Sequence, residues 1–260
     1  MIGERLRARK SPQDPWRGRS PLGHGSPVQM PASEPLDGVV KFQADHTERP
    51  LNPQTYGALA ATLIAWRAIF RQVGGIGQTP ARYTGIGFGN VSGRIGPFPG
   101  APGARPFLVT GTQTGGQDCL SLADFCLVRT WSVPRNHVHS EGVLLPSSES
   151  MTHGAVYDLG PHIRFVFHGH VPLIWRNAKG LRLPCTAPGI AYGTPGMAAE
   201  MVRLSRETAL MEGRVLVMLG HEDGVIAFGR TAEEAGAAFT TTLAAAYTLE
   251  ARREGRLCGF

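Results

Sequence analysis

The chain has 260 residues, 42% of them hydrophobic and 18% charged, which suffices for one large domain or two small ones and excludes disorder throughout. Its 34 glycines and 20 prolines favour many turns and exclude a helical bundle or coiled coil. Half of the net charge of +6 sits at the start, where Arg5, Arg7, Arg9, Lys10, Arg17 and Arg19 face Glu4, Asp14 and Glu34. Without interleaved aromatic residues, that stretch predicts a solvated leader and not a nucleic-acid contact. No window approaches the roughly 18 apolar residues of a membrane span, and Met1 to Lys10 is too charged for a signal-peptide core. Cys119, Cys126, Cys185 and Cys258 form no CxxC pair and no zinc-knuckle spacing. A soluble, cytoplasmic protein with reduced thiols and no membrane partner is expected.

Residues 1–47, rich in Pro, Gly, Ser and Arg, have no apolar periodicity to repay the entropy of ordering and are expected to form a flexible leader. Residues 48–260 are expected to form one domain. Asn52-Pro53 predicts a helix start, with Asn as cap and Pro at the first position, followed by an apolar-rich helix from Tyr56 to Val73. Strands are predicted over Gly85 to Ile95, Pro106 to Thr110 and Phe125 to Trp131, and the polar His137-Val138-His139 stretch reads as a loop. The second half predicts a helix over Ser147 to Tyr157, a strand over Ile163 to Phe167 and a helix over Met197 to Met211. Strands over Val215 to Leu219 and Val225 to Phe228 follow. Thr231-Ala232-Glu233-Glu234 is a capping box that opens a helix to about Arg253. Strands and helices mixed in this way point to one α/β domain.

Histidine placement is more informative than histidine number. In Phe165-Val166-Phe167-His168-Gly169-His170 an apolar strand ends on two imidazoles at i and i+2, which in extended chain project to the same side. His221 follows another apolar strand, so two strand ends could aim three neutral nitrogens at one ion with a position left open. Alone, an HxH pattern is a weak signal that serves a core more often than a metal. Pro146-Ser147-Ser148-Glu149 joins a loop to a helix, where hydroxyls and the first backbone N–H groups favour an anion. Glu149 there reads either as a capping residue or, beside a divalent ion, as a group that carries a proton to and from carbon.

Several pieces then occur in order: Gly89-Asn90-Val91-Ser92-Gly93-Arg94, Thr114-Gly115, Pro146-Ser147-Ser148-Glu149 with His153 and Tyr157, His168-Gly169-His170, His221, and Gly229-Arg230-Thr231-Ala232-Glu233-Glu234-Ala235. Together, over about residues 52–252, the chain resembles the class II aldolase/adducin family. The resemblance implies an α/β/α fold around a mixed, largely antiparallel sheet, and a homotetramer with active sites at subunit boundaries. It implies metal ligands at His168, His170 and His221, a catalytic acid/base at Glu149, and a substrate-anion pocket at Asn90, Thr114, Gly115, Ser147 and Ser148. Two features depart from the family's pattern. Glu222 and Asp223 lengthen the turn after His221 and would repel a phosphorylated substrate if turned inward, and the loop Thr110 to Gly116 is longer than usual. Tyr192 and Tyr247 are both candidates for the family's late catalytic tyrosine.

The function expected is that of a metal-dependent lyase, cleaving a carbon–carbon bond in a small hydroxy-carbonyl or sugar-phosphate-like substrate through a metal-stabilised enediolate. Zinc is the expected divalent metal. Epimerases, dehydratases and decarboxylases share this apparatus, and a non-haem iron(II) oxygenase of secondary metabolism is the alternative with Fe2+. A non-catalytic adducin-like interaction module is a third class, disfavoured because all three histidines and Glu149 are present.

Overall fold

A computed structural model describes residues 41–98, 100–253 and 255. Most of the expected leader, residues 1–40, lies outside the described residues. Its last part is corrected: Gln43–Glu48 is a strand, β1. Helix α1 (Pro53–Gln72) starts as expected, the Asn52 side chain accepting from the N–H groups of Gln54 and Thr55. Strands β2 (Asn90–Arg94), β3 (Phe107–Thr110), β4 (Phe125–Ser132) and β5 (His137–Gly142) follow. Then come α2 (Ser150–Asp158), β6 (Phe165–His170) and α3 (Pro172–Asn177). The chain continues through α4 (Pro195–Glu207), α5 (Leu210–Gly213), β7 (Val215–Val217), β8 (Gly224–Gly229) and α6 (Ala232–Arg253).

Two further expectations are corrected. The stretch His137 to Gly142 is a strand and not a loop, because its polar side chains are engaged from neighbouring elements: His137 by Asp45, Ser140 by His46, and Glu141 by Arg49 and Arg129. The helix expected over Met197 to Met211 is broken in two, the cap at Thr208 being extended.

All eight strands form one sheet in the order β1-β5-β4-β3-β2-β6-β8-β7. Only the edge pair β1 and β5 is parallel, so the sheet is mixed and largely antiparallel. Alternation along each central strand sends side chains to two separate cores. Val166, Ile226, Phe228, Phe107 and Cys126 pack with α2 and α4 on one face. Phe167, Val225, Ala227, Leu108 and Leu127 pack with α1, α3 and α6 on the other. The result is the expected α/β/α layering. Among the described residues, no helix is long and apolar enough to cross a membrane.

Candidate active site

Antiparallel order brings the functional segments together at one end of the sheet. The start of β2 lies beside the end of β6, with Asn90 opposite His168, and the end of β3 lies beside β2. The turn joining β7 to β8 abuts the end of β6, where His170 pairs with Gly224. These segments and the start of α2 form a cleft. Asn90, Thr114, Gly115, Ser147, Ser148, Glu149, His168, His170 and His221 all line it.

His168 and His170 share a face of β6, with ring centroids 4.9 Å apart. His221 lies 5.1 Å from the first and 4.6 Å from the second, and one nitrogen of each ring falls within 4.8 Å of the others. Local backbone contacts make this possible. His221 N–H bonds the Met218 carbonyl and Gly224 N–H bonds the His221 carbonyl, closing the turn. Gly220 is required there because a Cβ would lie 2.1 Å from the Ile190 carbonyl oxygen. His168 Nδ1 donates to the Val225 carbonyl at 3.2 Å, which places the ring's lone pair on Nε2. Burial, then His221 and His168, hold His170 well below the ordinary imidazole range, so it is neutral at pH 7, the form that ligates a metal. Three buried, converging imidazoles therefore fit a divalent ion of the zinc or iron(II) type.

Glu149 stands at the N-terminus of α2 but makes no capping bond with its side chain. Its carboxylate turns to His221, with Nδ1 and Oε1 3.1 Å apart. Burial alone would raise its pKa, but contact with His221 and the nearby His168 outweigh burial and hold the carboxyl at about 2. Ser147 Oγ accepts the Glu149 N–H at 3.3 Å, leaving its proton available to the cleft. Thr114 Oγ1 donates to the Gly111 carbonyl at 2.9 Å, so this side chain shapes the loop and only its backbone N–H is left to offer a ligand. Among the described residues the buried Asn90 amide oxygen, at the cleft wall, has no hydrogen-bond partner.

Asp223 does not face the cleft. It accepts from the Tyr83 hydroxyl at 2.6 Å, and Arg82 bonds both that hydroxyl and the His170 carbonyl. Glu222 is exposed. The two inserted acids thus do not line the cleft. Of the two candidate tyrosines, Tyr192 is buried and stacked on His221 at 4.4 Å, whereas Tyr247 is 64% exposed on α6. Sequence reasoning missed Gly87 and Phe88 as lining residues, though glycine at every second position of Gly85-Ile86-Gly87-Phe88-Gly89 marks a backbone needing close approach. His153 is a core residue, bonded to Ser92 Oγ at 2.7 Å and pushed down to about 3 by burial and then by His168.

L-fuculose-1-phosphate aldolase from Thermus thermophilus has a similar structure, with 22% identity, TM-score 0.53, and coverage of 78% of this chain and 98% of that one. A sugar-phosphate aldolase from Thermotoga maritima matches with 15% identity and TM-score 0.55 over 78% of this chain and 99% of its own. YgbL from Klebsiella pneumoniae, described as an aldolase/epimerase/decarboxylase, matches with 17% identity and TM-score 0.54 over 75% and 89%. At these identities the likeness is one of fold. No curated protein matches the sequence. Residues 80–249, more than half of the chain, match the family described as Class II Aldolase and Adducin N-terminal domain. With the same fold in its structural neighbours and three histidines gathered at the cleft, the chain belongs to the class II aldolase/adducin family.

Proposed function

We propose that the protein is a metal-dependent lyase that cleaves a carbon–carbon bond in a small hydroxy-carbonyl or sugar-phosphate-like substrate. In this reading His168, His170 and His221 hold a divalent ion, zinc in preference to iron(II). The observation that carries it is the convergence of these imidazoles, a buried carboxylate and an anion-friendly wall on one cleft. When bound, the metal would polarise the substrate's oxygens and offset the negative charge that develops as the bond breaks. Glu149 moves the proton. In the cleavage direction the ionised Glu149 takes the proton released as the substrate's hydroxyl becomes the aldehyde carbonyl, the electron pair of the broken bond stays with the carbon beside the remaining carbonyl, and Glu149 hands that carbon the proton; in the reverse direction Glu149 removes it from carbon and returns it to the new hydroxyl oxygen. Asn90, Ser147 and Ser148 side chains, with the backbone of Thr114 and Gly115, orient the substrate's anionic end. Among the described residues no lysine or arginine lines the cleft, so a carboxylate suits this wall as well as a phosphate.

Active sites at subunit boundaries of a homotetramer belong to the same reading. Val143 and Leu145, 43% and 45% exposed beside Pro146, offer apolar surface that a neighbouring copy would cover. Sedimentation at the mass of one chain would count against it.

Proton transfer can be tested without knowing the aldehyde partner. Zinc-loaded protein should exchange hydrogen for deuterium at the hydroxymethyl carbon of dihydroxyacetone or its phosphate in heavy water. Glu149→Gln should slow that exchange by about 100-fold or more while zinc content holds. Absence of exchange in the parent, or equal exchange in the variant, overturns the assignment.

A further inference from the structure

Among the described residues the wall that receives the anion has no cation of its own, yet one stands directly behind it. Arg67 lies on α1, one turn before Arg71, so both project toward the loop that follows β3. Arg67 is 97% withdrawn from solvent, its residual exposure being 3%. Its Nη2 donates to the carbonyls of Thr114 at 2.6 Å, Gly115 at 3.2 Å and Gln117 at 2.8 Å. Arg71 adds a bond to the Gly115 carbonyl at 3.1 Å and pairs with the exposed Asp118. Among the described residues no carboxylate forms a salt bridge with Arg67. A buried charge of this kind is costly unless carbonyl dipoles or an anion compensate it.

In a trans peptide the carbonyl and the following N–H point in opposite directions. Holding the Thr114 and Gly115 carbonyls from behind therefore turns the N–H groups of Gly115 and Gly116 away from Arg67. Neither N–H bonds another group among the described residues. Gly87 packs against this loop and keeps the first of them uncovered: a Cβ there would sit 3.3 Å from the Gly115 nitrogen. Burial, then Arg71, lower the Arg67 pKa to about 10 against Asp124 and Asp118, which leaves the guanidinium charged at neutral pH.

We propose that Arg67 is the positioning residue of the anion pocket: it aims the Gly115 amide at the ligand and supplies, through the loop, the positive charge that the cleft lining lacks. The ligand class is an oxyanion of the phosphate or carboxylate type carried by the substrate. This rests on the anion wall of the proposed lyase, and not on its metal or on Glu149.

The probe is inorganic phosphate, titrated into the full chain and followed by calorimetry. The parent should bind it. Arg67→Gln should weaken binding about tenfold or more, the loss expected for hydrogen bonds to a charged group. Arg67→Lys should recover part of it, having charge but no fork to span three carbonyls. Gly87→Ala leaves Arg67 in place and should weaken binding as well by covering the amide. In turnover, the two Arg67 variants should raise KM for a phosphorylated hydroxy-ketone and leave KM for its uncharged analogue unchanged. If the parent binds no phosphate, the anion wall itself is wrong and the proposal falls with it. If the parent binds and Arg67→Gln binds equally, or if both KM values rise together, the wall stands and Arg67 is only structural. Should Arg67→Gln not fold, Arg67→Lys and Gly87→Ala decide: unchanged affinity in both overturns the proposal.

Discussion

Asn90 and Ser92 lie two apart on β2 and share one face, yet depth separates their tasks. Asn90 reaches the cleft, whereas Ser92 is fully buried and its hydroxyl joins His153 Nδ1 and the Tyr157 hydroxyl, each at 2.7 Å. Burial pushes Tyr157 up and His153 down, so both are neutral and both depend on hydrogen bonds for compensation. Ser92→Ala removes their shared partner and should cost about 1–3 kcal/mol for each group left unsatisfied. Thermal unfolding should register this as a lower Tm, with phosphate binding retained; an unchanged Tm would refute the network's role. A sequence shows that Asn90 and Ser92 share a face, because that follows from the two-residue period. It does not show which one lies at the strand's open end. Arg67 was illegible for a related reason: on an amphipathic helix an arginine reads as solvated, and only the distant loop that wraps it reveals the burial.

Apolar periodicity and capping made α1, β3, β4, β6, β8 and the start of α6 legible, since each carries its signal within its own residues. β1 and β5 carry none. Their polar residues suit a strand because Asp45 pairs with His137, His46 with Ser140, and Glu141 with Arg49 and Arg129, a fact no local window contains. Glu141 is the centre of this arrangement, accepting from Arg129 at 3.0 Å and from Arg49 at the edge. The Arg129 hydrogen bond, against some burial and aided by Arg49, lowers its pKa. A carboxyl lowered on folding contributes stability that is present above its unfolded pKa of about 4.3 and is lost as pH falls through the folded value. Glu141→Gln should therefore lower Tm at pH 7, with the gap to the parent narrowing as pH drops below about 4.3. A gap that stays constant across that range would mean that charge on Glu141 does not anchor the sheet edge.

The cleft residues come from segments as distant as Asn90 and His221, and only the assembled sheet places them together. Ligands held on β6 and on the turn between β7 and β8 do not converge in the unfolded chain, so an ion bound by them stabilises the folded state alone. The linkage is quantitative: free metal at 100 times its Kd adds about 2.7 kcal/mol to unfolding free energy. At about 2–4 °C per kcal/mol for a chain of this size, Tm should fall by roughly 5–10 °C when a chelator strips the metal-loaded protein. Zinc added back should restore it. The same chelator should leave Tm unchanged in a variant carrying both His168→Ala and His170→Ala, which keeps the sheet pairing but has one imidazole left. A chelator-dependent fall of equal size in that variant would place the ion elsewhere and remove the three histidines from the proposed chemistry. A parent Tm indifferent to both chelator and zinc would leave the histidine cluster as a core feature and take the lyase reading with it.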